Sequence, residues 1–325
     1  MFSLGRALRS YDKFFFEVKP TEGIALFRIV WIGLILIQFL FDVNNVSDFY
    51  GPHALISLST VKEQFPFVHA NLFHFFNPSY EVTYGLFIVY GLSLITSLFG
   101  FFTRTSLVIA LLCMTSFHQR TIWYLSSSEV LMRTITLLLV FSPCGHTLSV
   151  DSILGKYFPR FKQPRDWPVW ALRLIQIQLS VVYLWTVWHK LKGETWLDGT
   201  AVYYATRVES LGNFSIPFLF NSLPAMKFMT WGTLVIEFAL GALIWNQKLR
   251  KPIILIGLFF HLALLYVMGI WFEFYLMALL INFYRPEELK AFVVKKADAL
   301  VLGIQETNLT AAIKERMIRT LRGQA

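Results

Sequence analysis

The chain has 325 residues, of which 56% are hydrophobic and only 15% charged, with a net charge of +9. Soluble domains carry about 25% charged residues, so this composition excludes a soluble globular domain and implies a membrane protein. Several runs approach the roughly 20 apolar residues that cross a bilayer. In hydrocarbon every backbone amide must be paired internally, so such runs are read as helices; the alternation of a membrane β-barrel is absent. Cys113 and Cys144 both stand in or beside apolar runs, a placement that suggests neither a disulfide framework nor a metal site.

Residues 1–22 place Arg6, Arg9, Lys13 and Lys19 around Phe14, Phe15 and Phe16. No small-residue cleavage site follows the first apolar run, so a short interfacial helix is expected rather than a cleaved signal peptide. Eight spans follow, at about 23–41, 82–102, 105–118, 128–144, 169–189, 228–245, 252–269 and 271–284. The third, fourth and eighth are short or carry polar residues, which would leave six or seven full crossings. Loops 42–81 and 190–227 contain Pro, Gly and aromatics and are expected to lie on or dip into the membrane. The expected organisation is therefore all-α: a basic segment 1–22, a polytopic helical bundle 23–284, and a basic, helix-prone tail 285–325 with Lys314, Arg316, Arg319 and Arg322 near its end. No internal repeat is visible.

Charge placement orients this bundle. With the N-terminus inside and eight spans, the inside segments hold 20 of the 29 Lys and Arg residues, the outside loops hold six, and Arg28, Arg133 and Arg173 fall within spans. Cytoplasmic loops favour Lys and Arg, so both termini are expected in the cytoplasm, most readily of a bacterial membrane. The net positive charge then points to anionic lipid as partner, and no nucleic-acid motif competes with that reading.

A charge at the bilayer centre costs at least ~3 kcal/mol, which makes intramembrane ionisable residues functional candidates. Arg28 either snorkels to the headgroups or pairs with a helix end. Arg133 follows Glu129 by four positions, the spacing of an ion pair on one helix face. Glu237 stands in the middle of the sixth span and must be protonated or paired. His261, in mid-span, is either a neutral histidine bonded to a neighbouring helix or part of a site. Gln176 and Gln178 suit interhelical hydrogen bonds or the lining of a cavity.

The densest chemistry lies in Trp185-Thr186-Val187-Trp188-His189-Lys190-Leu191-Lys192-Gly193-Glu194-Thr195-Trp196-Leu197-Asp198. An apolar helix ends at His189 and Lys190, and a loop with Trp196 and Asp198 follows. Interfacial Trp and a snorkelling Lys are ordinary belt composition. A Lys in an aromatic, poorly hydrated pocket can instead serve as a general base. On charge counting this segment faces outward, as do His118, Arg120 and Glu129.

The stretch WALRLIQIQLSVVYLWTVWHKLKGETWLDGTAVYYA resembles the horizontally transferred transmembrane (HTTM) domain family, which includes the membrane part of vitamin K-dependent γ-carboxylase. ALFRIVWIG, FHQRTIWYLSSSEVLMRT, SPCGHTLSVD, Glu237 and FFHLALLYVMGIWFEF extend the resemblance over about residues 20–285. It implies a helical bundle with a cavity open to the extracytoplasmic side, and a lysine base that engages a quinone or vitamin K-like hydroquinone. In WHKLKGETWLDG that lysine falls on Lys190. The family's functional histidine would fall near Ser128, where no histidine stands; His118 is ten residues upstream. The carboxylases also carry a large extramembrane domain after the bundle, whereas about 40 residues follow the last span here. The chain alone is therefore not expected to carboxylate glutamyl peptides.

Three readings follow. One is a catalyst with a lipophilic site at Lys190, supported by Glu237 and His261, with His118, Arg120, Glu129, Arg133, Gln178, His189, Trp196 and Asp198 as candidate binding residues. The second is a non-enzymatic maturation, export or immunity-type factor for a secreted peptide or extracytoplasmic protein. A transporter ranks last, because the paired repeats usual in transporters are missing. Sequence alone leaves open whether the site is catalytic, and calls for no metal.

Overall fold

The computed structural model describes residues 4–65, 71–76, 79–122, 126–208, 217–292 and 295. The tail with Lys314, Arg316, Arg319 and Arg322 lies outside the described residues. A helix stands at each expected span. In chain order α1 covers Leu4–Phe16, α2 Glu22–Asp42, α3 Val46–Tyr50, α4 Leu58–Gln64, α5 Leu72–Phe75, α6 Tyr80–Phe99, α7 Thr103–Arg120 and α8 Ser127–Phe141. Then come α9 Val150–Leu154, α10 Trp170–Lys190, α11 Glu194–Leu197, α12 Ala201–Ala205, α13 Pro217–Phe220, α14 Leu223–Gly241, α15 Arg250–Met268 and α16 Phe272–Leu280. Four stretches are long and apolar enough to cross a membrane: α2 with its continuation to Tyr50, α6, α10 and α15. The other four long elements fall short for visible reasons. Charged and hydroxyl residues interrupt α7, α8 has 15 residues, α14 carries Lys227 and Glu237, and α16 has nine.

The sixth element is displaced from its expected 228–245. Pro224 lies in its first turn, where a missing N–H costs nothing, so α14 begins at Leu223 and ends at Gly241, ahead of a 3₁₀ turn at Leu243–Trp245. The described parts of the two long loops contain short helices. Val46, Val61 and Phe73 of α3–α5 are buried, and Arg120 fastens this loop by donating to Ile56 O at 2.7 Å and Gly51 O at 3.2 Å.

The segments expected inside meet at one end of the bundle. β1 (Val18–Pro20) pairs antiparallel with β2 (Asp166–Pro168), the one sheet among the described residues. Lys19 bonds Glu287 at 3.0 Å, Lys251 pairs with Glu288 at 3.0 Å, and Phe102 N and Thr103 N donate to the Asp151 carboxylate, each at 2.8 Å. Arg28 is fully buried and binds the turn between α8 and α9, donating to Cys144 O at 2.5 Å and Leu148 O at 2.6 Å; its contact with a helix end is the longer one, to Leu98 O in the last turn of α6 at 3.5 Å. α1 docks on α10 through Arg173, which donates to Phe14 O at 3.0 Å with its guanidinium 4.7 Å from the Phe14 ring. Between the ends the core is aliphatic and aromatic, with Phe27, Trp31, Ile135, Leu139, Leu179 and Leu240 in one buried cluster.

Candidate functional site

The site begins with the pitch of α10. Tyr183, Thr186 and Lys190 are spaced i, i+3, i+7, so a 3.6-residue period turns all three to one face. On α15, His261, Leu264 and Met268 repeat that spacing. These faces, with α14, α16 and α12, enclose a cavity of about 510 Å³. Its shape follows from three glycines. A Cβ at Gly257 would stand 2.7 Å from Leu240 Cδ2, and one at Gly241 would stand 2.8 Å from Leu184 Cγ. α14 therefore packs closely on α15 and α10 at that level. At Gly232, which also lines the cavity, a Cβ would meet nothing within 4 Å. The helices thus part toward that end, and the gap between them is the cavity.

α12 covers the opening. Gly199 adopts φ 85°, and a Cβ there would approach Lys227 Cγ to 2.9 Å, so glycine permits the chain to turn down onto α14. Val202 N then donates to Thr230 Oγ1 at 3.2 Å, which pins α12 to α14. The preceding turn lays Trp196 beside the site, with the Lys190 ammonium 4.6 Å from the ring centroid, within range of a cation–π contact.

Two polar groupings face this largely apolar space. In the first, Lys190 Nζ donates to Glu237 Oε1. The pair answers the cost of a buried carboxylate near the end of α14, yet Glu237 Oε2 is buried without a partner among the described residues. In the second, Tyr183 Oη lies 2.6 Å from His261 Nε2, and His261 Nδ1 contacts Glu273 Oε2. All three are buried. An ionised Glu273 can only accept, which would place the hydrogen on Nδ1 and leave Nε2 to accept from the Tyr183 hydroxyl.

The structure therefore brings Lys190, Glu237, His261 and Trp196 to one cavity. Three neighbours in sequence stay out of it. His189 is exposed, its ring 4.7 Å from that of Trp185. Asp198 is exposed and caps a turn, accepting from Thr200 N at 2.8 Å and Thr200 Oγ1 at 2.6 Å. Those bonds hold its carboxyl below the ordinary range. Gln178 is half-buried and outside the lining, whereas Gln176 forms the expected interhelical bond, donating to Asn282 O at 2.6 Å.

The remaining candidates belong to the other half of the bundle. Arg120 is the loop clamp already described, and His118 is half-buried on α7. The expected Glu129–Arg133 ion pair does not form among the described residues. Glu129 instead closes a capping box at the start of α8, accepting from Ser126 N at 2.7 Å. A helix N-terminus has four unmet N–H groups, and these outcompete an i+4 guanidinium. Glu129 also borders a second cavity of about 400 Å³, where Tyr275 donates to Gln38 Oε1 at 2.6 Å. Ile270 and Phe272 line both cavities.

Sequence reasoning missed Tyr183 and Glu273. Tyr183 sits in a belt of Trp and Tyr that composition alone does not resolve. Glu273 offered a usable signal, a carboxylate inside the apolar run Gly269-Ile270-Trp271-Phe272-Glu273-Phe274.

The HTTM domain matches residues 24–287 of the chain. The uncharacterized protein YitO of Bacillus subtilis (strain 168) is 30% identical over 119 residues, 35% of this chain and 38% of that protein. The sporulation-delaying protein SdpB of the same strain is 29% identical over 99 residues, 29% of this chain and 30% of that protein. The chain thus matches well under half of the length of either relative. No solved structure matches.

Proposed function

The chain belongs to the HTTM domain family, and from that premise we propose that this membrane protein binds a lipophilic small molecule of quinone type in the cavity beside Lys190. The observation that carries the reading is an ion pair with a free carboxylate oxygen, placed in an apolar cavity of about 510 Å³. Pockets for small ligands are mostly apolar with a few convergent polar groups. Lys190 is the acting group and Glu237 its proton partner. A proton can pass from the ammonium to Glu237 without changing the net charge of the pair, so low polarity does not oppose the exchange. Once deprotonated, Lys190 is a base.

The proposed setting is a multi-pass protein of the bacterial cytoplasmic membrane, with eight crossings, both termini inside and the cavity outside. The 20-to-6 division of basic residues supports it. So does the meeting of β1, β2, the 144–151 turn and residues 285–288 at one end. α1 lies in the inner interface, where Arg6, Arg9 and Lys13 meet anionic lipid. A Ser59→Cys variant should react with an impermeant thiol reagent in intact cells, and Ser152→Cys should not; the reverse pattern would refute the orientation.

A second reading is favoured by the similarity to SdpB, a protein named for delaying sporulation. In it the chain is a non-enzymatic maturation, export or immunity-type factor for a secreted or extracytoplasmic partner, and the cavity holds a lipid or a partner segment. One substitution separates the readings. Arginine keeps charge and reach but cannot lose its proton. Lys190→Arg should preserve membrane level yet abolish the phenotype that the gene confers, while Lys192→Arg should be silent, its ammonium lying outside the cavity over Trp188 at 5.0 Å. Full complementation by Lys190→Arg at matched protein level would remove the catalytic reading. Decylubiquinone should quench the tryptophan fluorescence of the purified chain in micelles; no saturable quenching would remove the quinone-type ligand.

A further inference from the structure

Assigning the chemistry to Lys190 leaves Tyr183, His261 and Glu273 without a task. Tyr183 lies two turns below Lys190 on the same face of α10. All three residues line the cavity and are nearly inaccessible, at 2%, 1% and 5% exposure. Among the described residues Glu273 has no Lys or Arg partner; its only ionic contact is His261. As mere glue between α10, α15 and α16 this is an expensive choice. An ionised carboxylate buried without a permanent counter-charge costs several kcal/mol, and a carboxamide would accept the same Nδ1–H bond for less. With Glu273 ionised, the bonds run in one direction, from a cavity-lining hydroxyl through Nε2 and Nδ1 to a carboxylate. That is the order of groups that can pass a proton inward.

We propose that Tyr183, His261 and Glu273 form a second proton acceptor of the cavity, which takes the proton of an acidic hydroxyl on the bound lipophilic ligand. This rests on the cavity being a lipophilic site. The ligand hydroxyl gives its proton to the Tyr183 oxygen, Tyr183 gives its own to His261 Nε2, and His261 gives its Nδ1 proton to Glu273. The ligand becomes an anion and Glu273 a neutral acid; Tyr183 is restored and His261 ends in its other neutral tautomer. The net charge of the site is unchanged. Negative charge has moved from Glu273 to a cavity that also contains the Lys190 ammonium.

The test uses 2-decyl-4-nitrophenol, whose phenolate and neutral forms differ in absorption, with the purified full chain in detergent micelles. The pH is set one unit below the probe's own pKa in empty micelles, where most of it is neutral. Binding is read separately, from quenching of tryptophan fluorescence. The parent protein should raise the phenolate fraction about fivefold or more. Glu273→Gln keeps an acceptor for Nδ1–H but cannot take a proton. It should bind the probe within about threefold of the parent, a shift of under 1 kcal/mol, yet return the phenolate fraction to that of empty micelles. Tyr183→Phe, which keeps the ring, should do the same. Lys190→Arg should leave the phenolate in place. Phenolate that survives Glu273→Gln and Tyr183→Phe, or that disappears with Lys190→Arg alone, overturns the relay. Binding of neutral phenol by the parent overturns the relay and leaves the lipophilic site standing. No binding by the parent removes both.

Discussion

Arg28 and Lys190 are both cations on apolar helices, and their surroundings differ in one decisive respect. The Arg28 guanidinium is fully buried and spends Nη1 and Nη2 on the backbone carbonyls of Cys144 and Leu148. Its charge is used up in holding chain turns together, beside a tight crossing where a Cβ at Gly100 would stand 2.8 Å from Nη1. Lys190 meets a single carboxylate that keeps one oxygen free, beside an open volume. Both are costly charges within the bundle, so cost alone does not separate a structural ion from a functional one. Each site leaves one buried atom without a partner among the described residues, Arg28 Nε and Glu237 Oε2; what separates them is that backbone encloses Arg28, whereas room for a ligand remains beside Lys190.

The largest effect is expected where the charge is fully enclosed by the fold. Arg28→Met leaves two buried carbonyls unmet, and bonds to charged groups are worth about 1.5–3 kcal/mol each. A loss of about 3 kcal/mol or more should show as loss of monodisperse protein after mild heating in detergent. Arg28→Lys should rescue little, because an ammonium lacks the fork that spans both carbonyls. Wild-type stability in Arg28→Met would erase the contrast. At the other pole, Glu237→Leu strands the Lys190 ammonium. Since that side chain is 23% exposed, the cost is set at about 2 kcal/mol, below the range for a fully buried broken pair. The double variant Lys190→Met/Glu237→Leu should recover to within about 1 kcal/mol of the parent, because well-packed apolar residues often replace ion pairs at no cost. It should still lack the phenotype. Recovery of both stability and phenotype would make the pair structural, like Arg28.

The sequence carried the helices, four of them long and apolar enough to cross a membrane, because long apolar runs survive any tertiary arrangement. It also identified the pole at Lys190, since charged and aromatic residues cluster there within a few positions. It did not carry the partners. Glu237 is 47 positions from Lys190 and Glu273 is 12 from His261, and such contacts depend on how helices lean, which no local pattern records. Glu129 shows the reverse failure: the i,i+4 spacing to Arg133 is a real propensity, but unmet N–H groups at the helix start hold the carboxylate more closely. Asp198 stands outside the lining for a similar reason, because a short polar side chain beside Gly199 and Thr200 finds its partners in the turn itself.

The smallest effects on stability test the cavity. Gly232 lines it from α14, whereas Gly257 packs α15 on α14 outside the lining, and their surroundings are opposite. At Gly257 an added Cβ comes within 2.7 Å of Leu240 Cδ2, the end of a flexible side chain, so Gly257→Ala should cost about 1 kcal/mol by pushing the helices apart. At Gly232 nothing lies within 4 Å. A leucine there meets no clash, and leucine favours a helix over glycine by up to about 1 kcal/mol, so Gly232→Leu should unfold no earlier than the parent. Its side chain would occupy space in the cavity, however. Decylubiquinone quenching should therefore weaken at least about tenfold in Gly232→Leu, equivalent to 1.4 kcal/mol, and change little in Gly257→Ala. Undiminished quenching in a folded Gly232→Leu protein would place the ligand outside this cavity. Lys190 and its pair would then be, like Arg28, a matter of holding helices together.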